Sequence, residues 1–187
     1  MASRPDPPLD AAAITAILAA HAVDYVLIGG VAVQAHGYTR ATNDLDVVAA
    51  PELANLSRLG EALTELEARL ARSARRVDLS DPHLLRRAPL IPIATKHGRL
   101  DLINLDQLPG APRSYEDLRA RAITARVAGH DIPVAGVDDL VRLKRAAGRE
   151  SDLRDIAALT RTDEELERES RERDRSLELD PESLDDR

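Results

Sequence analysis

The first third of the chain alternates between apolar and polar stretches in a way that predicts a strand, a short helix and a second strand. Residues 24–28, which are apolar after Asp24, are typical of a buried strand, and residues 44–49 alternate carboxylate and aliphatic side chains before ending in an apolar run. Between these strands, Gly29 and Gly30 predict a tight turn that leads into a helix at residues 31–36.

Apolar residues recur at intervals of three and four on both sides of this segment, which predicts two flanking helices. The first spans residues 11–22, with Asp10 as its N-cap. The second starts at Pro51 and runs to about Ser73. Its repeating apolar positions are Leu53, Leu56, Leu59, Leu63, Leu66 and Leu70.

The second half of the chain has the pattern of two hairpins and three helices. The predicted strand pairs are residues 90–95 with 99–105, and 123–127 with 132–135. The predicted helices are residues 114–121, capped by Ser114, then 137–147 and 152–159. From Thr162 onward scarcely any apolar residue occurs before Leu177, which predicts a frayed helix that passes into disorder.

Composition narrows the class of protein. The 187 residues, 43% of them hydrophobic, suit one domain with a tail, and the absence of Phe and Trp predicts an aliphatic core. Without cysteine, the chain has neither disulfides nor thiolate zinc sites. Residues 1–10 lack the apolar segment of a signal peptide, and no long apolar run occurs elsewhere, so we expect a cytoplasmic protein with no membrane contact.

The net charge of −7 is concentrated in the tail. Residues 161–187 hold 12 acidic and 6 basic residues and thus carry −6 of the total. The rest of the chain is nearly neutral, so its overall acidity argues little against a nucleic-acid partner.

The strongest candidate chemistry lies in the segment of paired glycines and carboxylates. Side chains alternate along a strand, so Asp44 and Asp46 share one face, about 7 Å apart, while Leu45 and Val47 point into the core. Carboxylates are the ligands that hard divalent cations prefer. Paired glycines allow close approach of the backbone to a ligand, and free helical N–H groups attract phosphate. The pattern therefore predicts a phosphate site next to a metal site.

The same segment resembles a known family. Gly29-Gly30, thirteen intervening residues and then Asp44-Leu45-Asp46 are similar to the signature of the DNA polymerase beta nucleotidyltransferase superfamily. His36-Gly37, Arg40, Thr42 and Asp44-Leu45-Asp46-Val47 resemble its AbiEii-like branch, known as toxins of bacterial toxin–antitoxin pairs. The resemblance covers roughly residues 20–160.

The resemblance implies an α/β (α+β) nucleotidyltransferase fold. This fold has a mixed β-sheet with helices on one side and a small C-terminal helical portion. We expect this core at residues 10–135 and the helical portion at 136–160, preceded by a proline-rich flexible arm at 1–9 and followed by a charged tail at 161–187.

The resemblance also assigns residue roles. Asp44, Asp46 and Asp101 are implied to hold two Mg²⁺ ions, with Mn²⁺ as an alternative. Asp101 interrupts an apolar run, where an unpaired carboxylate would be costly if buried; the other interpretation is an edge residue that faces water.

Further along the chain, Lys144 is one of only two lysines beside 24 arginines. The resemblance implies that it contacts nucleotide phosphates and that Asp155 takes part in nucleotide binding. The open alternatives are a surface lysine and a simple ion pair of Asp152 or Asp155 with Arg149 or Arg154.

Several loop positions remain open between two interpretations. Arg40 and Thr42 precede the carboxylates, where loop residues often bind ligands, and Arg40 suits either a phosphate or an ion pair with Asp44 or Asp46. His36 suits either the nucleotide or a structural hydrogen bond. A basic segment suits either an RNA acceptor or a solvated loop. Its arginines are Arg69, Arg72, Arg75, Arg76, Arg86 and Arg87.

The predicted reaction is transfer of a nucleoside monophosphate from an NTP to an acceptor hydroxyl on tRNA or protein. A cognate antitoxin is the expected protein partner. Two other functions remain open: a small-molecule, antibiotic-type nucleotidyltransferase, and a non-catalytic binding module or antitoxin. Three retained carboxylates favour an enzyme, because such groups are costly to keep close together without a use.

Overall fold

The computed structural model describes residues 6–38, 40–71, 73, 77–108, 114–161 and 168. Within these residues the strands are β1 (Tyr25–Ile28), β2 (Asp44–Ala49), β3 (Arg69–Leu70), β4 (Leu90–Thr95), β5 (Gly98–Ile103), β6 (Ile123–Val127) and β7 (His130–Val134). The helices are α1 (Ala11–Ala20), α2 (Gly29–Ala35), α3 (Leu53–Glu65), α4 (Tyr115–Ala120), α5 (Val137–Ala147) and α6 (150–161). Short 3₁₀ turns occur at Leu84–Arg86 and Leu105–Gln107.

All seven strands belong to one mixed sheet in the order β3-β4-β5-β2-β1-β7-β6. The pairs β2 with β5 and β1 with β7 are parallel, whereas the other four pairs are antiparallel. Strands β2 and β5 therefore lie inside the sheet, each with a neighbour on both sides. This central position keeps the carboxylates of β2 and β5 away from the sheet edges.

The core is aliphatic, as the composition predicts. Leu45 and Val47 of β2 are at most 1% exposed and share one buried cluster with side chains from two helices. These helical side chains are Ile14 and Leu18 of α1 and Leu56, Leu59 and Leu63 of α3. Complete burial of a leucine side chain contributes about 1.5–3 kcal/mol, so this layer holds β2 firmly in the sheet.

Most predicted elements are confirmed, with shifted ends. The Asp10 carboxylate accepts a hydrogen bond from Ala13 N (3.0 Å), and the Ser114 hydroxyl accepts one from Asp117 N (3.1 Å), so both predicted caps are present. The turn of the second hairpin contains Gly129, whose φ of 87° lies in the left-handed region. Helix α2 begins at Gly29 and thus includes both glycines that were expected to form a separate turn.

The prediction of a helix to about Ser73 was wrong, because α3 ends at Glu65. The chain reverses at Glu67, where φ is 53°, and Ala68 N donates to Leu63 O (2.9 Å). Residues Arg69–Leu70 then pair with β4 as an edge strand. Leucine spacing alone did not reveal this stop, since Leu66 stays fully buried and preserves the apolar pattern.

Residues 6–10, the described part of the segment before α1, contact the sheet and its β4–β5 turn. Asp10 N donates to His97 O (2.8 Å), and Arg69 Nη2 donates to Asp6 Oδ1 (2.7 Å). The prediction of a flexible arm concerns residues 1–9, of which residues 1–5 lie outside the described residues. Nearly all of the predicted disordered tail also lies outside them.

In the part of the chain that the structure describes, no helix is both long and apolar enough to cross a membrane.

Candidate active site

The register between β2 and β5 places two of the predicted carboxylates side by side. Asp46 lies opposite Asp101, and Asp44 lies opposite Arg99. Neighbouring strands are about 4.8 Å apart, and paired residues project from the same face. Asp101 is 8% exposed on an interior strand, which excludes the interpretation of an edge residue that faces water.

Gly29 is required at its position by both backbone conformation and space. Its φ of 70° is unfavourable for other residues, and a Cβ there would overlap the Asp46 carboxylate. The Gly30 backbone N–H donates a hydrogen bond to that carboxylate. The start of α2 and the middle of β2 are therefore in direct contact, with no side chain between them.

Burial and neighbouring negative charges both disfavour the ionised form of Asp46. Burial, followed by the negative charges of Asp44 and Asp101, raises its pKa from 3.8 to about 7. The Gly30 hydrogen bond and the positive charge of Lys144 oppose this shift without cancelling it. Any added positive charge near Asp46 would favour its ionised form.

The loop before β2 covers the start of α2. Thr42 Oγ1 donates to Asp44 Oδ1 (3.1 Å), and Gln34 Nε2 donates to Arg40 O (2.5 Å). A Cβ on Gly30 would lie 2.5 Å from Thr42 Oγ1 and 2.9 Å from Arg40 Nη2. Gly30 thus lets Arg40 and Thr42 approach the acidic strand.

A buried network of charges joins this loop to the two C-terminal helices. Asp155 accepts from Arg40 through Nη2 (3.0 Å), lies 2.8 Å from Arg40 Nε, and lies 2.6 Å from Lys144 Nζ. Asp152 lies 3.5 Å from Lys144 Nζ and 3.0 Å from Arg149 Nε. The two aspartates are at most 2% exposed and Lys144 is 5% exposed. The network thus fixes α6 against α5 and against the loop.

Two cavities meet at the carboxylates. One is almost wholly polar, about 250 Å³, and the other is mainly apolar, about 220 Å³. Both are lined by Gly29, Asp46, Asp101, Lys144 and Arg149. The polar cavity adds Gly30, Arg40, Thr42, Asp44 and Asp152, and the apolar cavity adds Ile28, Leu90, Ile103, Leu140 and Leu143. Charged and apolar parts of one ligand could therefore bind on opposite sides of Asp46 and Asp101.

The carboxylates suit a hard divalent cation in chemistry. Asp44, Asp46 and Asp101 offer oxygen ligands, and their mutual repulsion would be relieved by a positive ion. Among the described residues, no group of three or more His, Cys, Asp or Glu side chains is already arranged around a common metal position. Mg²⁺ needs no such group, because one or two carboxylates together with water and phosphate oxygens can hold it.

The structure brings the predicted site residues into one region but gives some of them unexpected contacts. Arg40 pairs with Asp155 and not with Asp44 or Asp46, the two structural partners considered from sequence. His36 Nε2 lies 2.9 Å from Ala135 O, which agrees with the structural alternative for this histidine. Asp155 is almost fully buried behind Arg40 and Lys144 and lines neither cavity. It would therefore affect a bound ligand by holding these two cations in place.

The basic segment lies only partly within the described residues. Arg69 pairs with Asp6 at 2.7 Å and Arg86 lies 3.9 Å from Asp106. Arg87 is exposed, and the other three arginines of the segment, Arg72, Arg75 and Arg76, lie outside the described residues.

Two features of the site were missed from sequence. Arg149 lines both cavities, and Leu140 and Leu143 form part of the apolar wall. The available signal for Arg149 was its position directly after Gly148, which ends α5 with a φ of 66°. A residue between two consecutive helices lies where the helix ends meet, and its side chain can project into a cleft formed there.

Comparison with solved structures identifies the fold. The antibiotic-resistance factor ANT(2'')-Ia matches with a TM-score of 0.54 at 15% identity, over 88% of this chain and 91% of that one. The lincosamide antibiotic adenylyltransferase LnuA, in its lincomycin-bound structure, also has a TM-score of 0.54 at 15% identity, over 83% of this chain and 98% of that one.

A third solved structure is an antigenic nucleotidyltransferase-like protein from Paracoccidioides brasiliensis. It matches with a TM-score of 0.50 at 17% identity, over 82% of this chain and 78% of that one. The chain thus has the nucleotidyltransferase fold, as predicted. By sequence, no protein-family model and no curated protein matches the chain.

Proposed function

We propose that this protein is a metal-dependent nucleotidyltransferase that transfers an NMP from an NTP to an acceptor hydroxyl. The observation that supports this most is the contact between Gly29-Gly30 and Asp46, with Asp101 beside Asp46 in the adjacent parallel strand. This arrangement juxtaposes a backbone able to approach phosphate and a closely spaced group of carboxylates. Phosphoryl-type transfer depends mainly on such positioning and charge neutralisation.

Asp44, Asp46 and Asp101 would hold Mg²⁺ or Mn²⁺, which would neutralise phosphate charge when bound. The chain's own residues have separate tasks. Asp101 accepts the proton of the acceptor hydroxyl, or assists in its removal. The acceptor oxygen then bonds to the α-phosphorus as the bond to pyrophosphate breaks.

The polar cavity is the proposed site of the triphosphate. Gly29 and Gly30 allow the triphosphate to approach the backbone closely, and Thr42 lines the cavity next to the triphosphate. Arg40 and Lys144 provide positive charge from one wall, held in place by Asp155. Removal of a donor aimed at developing charge typically slows an enzyme by about 100-fold or more.

The acceptor and biological role rest on the sequence resemblance to AbiEii-like proteins. We propose a hydroxyl of tRNA or protein as the acceptor and a toxin role, countered by an antitoxin protein. A small-molecule acceptor is the second candidate, because the apolar cavity beside Asp46 and Asp101 is only about 220 Å³. A ring-sized group would fill a cavity of this size.

The test is transfer of label from each of four α-labelled NTPs to total tRNA, to cell protein and to a panel of aminoglycosides and lincosamides. The reactions contain Mg²⁺ or Mn²⁺, with a chelator as the negative control. We expect labelled product with one macromolecular acceptor, and loss of product in Asp46→Asn.

The matched control is Asp131→Asn, on the exposed β6–β7 hairpin, which should retain activity because Asp131 is 65% exposed and pairs with Arg126 on the same hairpin. Label on a small molecule alone would select the second candidate. Absence of metal-dependent NTP binding and of any labelled product would refute the enzyme and favour a binding module.

A further inference from the structure

Arg149 is held by hydrogen bonds at its backbone and at Nε, while most of its side chain remains exposed. Its backbone N–H and its Nε both donate to Asp152 Oδ2 at 3.0 Å, while its side chain is 72% exposed. The residue lines the polar cavity and the apolar cavity. The charges of Asp44 and Asp46 act on its guanidinium, so it lies within electrostatic range of the acidic strand. One side of the guanidinium is thus held in place, and the side chain remains accessible at the site.

Lys144 and Arg40 differ from Arg149 in this respect. The Lys144 side chain is 6% exposed, and its ammonium lies 2.6 Å from Asp155 and 3.5 Å from Asp152. Arg40 is 30% exposed and binds Asp155 through two nitrogens. All three cations thus have a buried carboxylate partner, but Arg149 keeps far more of its side chain exposed than Lys144 or Arg40.

The charges of this wall do not balance. Arg40, Lys144 and Arg149 carry three positive charges, and Asp152 and Asp155 carry two negative charges. One positive charge is in excess, and Arg149 is the most exposed of the three cations. The polar cavity is also lined by Asp44, Asp46 and Asp101, so an anionic ligand would bind there together with divalent cations that offset these carboxylates. Arg149 would meet that ligand through the nitrogens that Asp152 does not hold.

We propose that Arg149 binds the β- and γ-phosphates of the NTP, and that Asp152 orients its guanidinium. This inference rests on the proposed nucleotidyltransferase function and adds a polyphosphate contact that the sequence did not predict. A guanidinium presents several N–H donors in a plane, which suits two phosphate oxygens at once. Nε is already bound by Asp152, so the terminal nitrogens are the ones available to phosphate.

A purely structural role is the competing explanation. In that case Arg149 would only satisfy Asp152 at the start of α6, and its loss would alter stability but not ligand discrimination. The two explanations differ in their dependence on the number of phosphates.

The experiment measures binding of a non-hydrolysable NTP analogue and of the matching NMP by calorimetry, in Mg²⁺, to wild type, Arg149→Gln and Arg149→Lys. A hydrogen bond to a charged group corresponds to about a 10- to 100-fold change in affinity. We expect Arg149→Gln to weaken the NTP analogue by that factor while NMP binding changes less than about twofold. Arg149→Lys should recover part of the loss.

The matched control is Arg154→Gln, which removes an equally exposed arginine from the same helical region, where its partner is Glu150. It should bind both ligands like wild type. Equal weakening of NTP and NMP by Arg149→Gln, or no weakening of either, would overturn the inference for Arg149 alone. Failure of the wild type to bind the NTP analogue at all would instead overturn the proposed function together with it.

Discussion

Replacement of Asp155 by Asn tests whether the buried charge network holds the helical part of the protein to the sheet. The substitution preserves shape but removes the charge that Lys144 meets at 2.6 Å and Arg40 at 2.8 Å. Removal of one partner from a buried ion pair typically costs about 3–5 kcal/mol. Arg40 is 30% exposed and can be hydrated, and Asp152 remains 3.5 Å from Lys144, so we expect about 3 kcal/mol.

The measurement is chemical and thermal denaturation of Asp155→Asn, where about 3 kcal/mol corresponds to a fall in Tm of about 6–12 °C. Asp131→Asn is the control, because its exposed pair with Arg126 should contribute less than about 1 kcal/mol. The double variant Lys144→Met with Asp155→Leu should recover part of the loss, since apolar groups can replace the buried Lys144–Asp155 pair while Arg40 still lacks its carboxylate partner. A loss below about 1 kcal/mol in Asp155→Asn would refute the reasoning.

Three further predictions concern the acidic strand and its surroundings. Asp46→Asn should stabilise the metal-free fold at pH 8 but not at pH 4. The reason is that the folded pKa of about 7 exceeds the unfolded value of 3.8, so wild-type stability falls as pH rises through this window; a difference that is constant with pH in denaturation experiments would contradict it. Gly29→Ala should lower Tm more than Gly129→Ala, because both glycines have positive φ but only Gly29 faces Asp46, and equal losses would exclude that contact. Lys144→Ala should slow nucleotide transfer by about 100-fold or more at saturating Mg²⁺, with only partial recovery in Lys144→Arg, whereas full activity of the arginine variant would remove Lys144 from the mechanism.

Local patterns in the sequence predicted most of the elements that form the site. The strand–glycine–helix–strand segment, the pairing of residues 90–95 with the following strand and the boundaries of α5 all agree with the structure. The alternation of Asp44 with Leu45 placed the carboxylates on one face, and the apolar neighbours of Asp101 predicted a buried strand. These features depend on residues within a few positions of each other, so local spacing is sufficient to detect them.

The sequence was less informative where two remote segments decide the outcome. The leucine pattern continued past Glu65, but α3 stops there because the next residues pair with β4. The partner of Arg40 lies 115 residues away, and the nearer aspartates were the only candidates that spacing suggested.

Tertiary structure alone decided how the site is assembled. The register of β2 on β5 places Asp101 beside Asp46, whereas a shift of one residue would turn Asp101 to the other face of the sheet. Packing of α6 on α5 buries Asp152 and Asp155 around Lys144 and leaves Arg149 exposed at the cavities. The pair of Arg149 with Asp152 follows from their i,i+3 spacing, but strand register and the pair of Arg40 with Asp155 depend on contacts between distant segments, so their energies have no signature in local sequence.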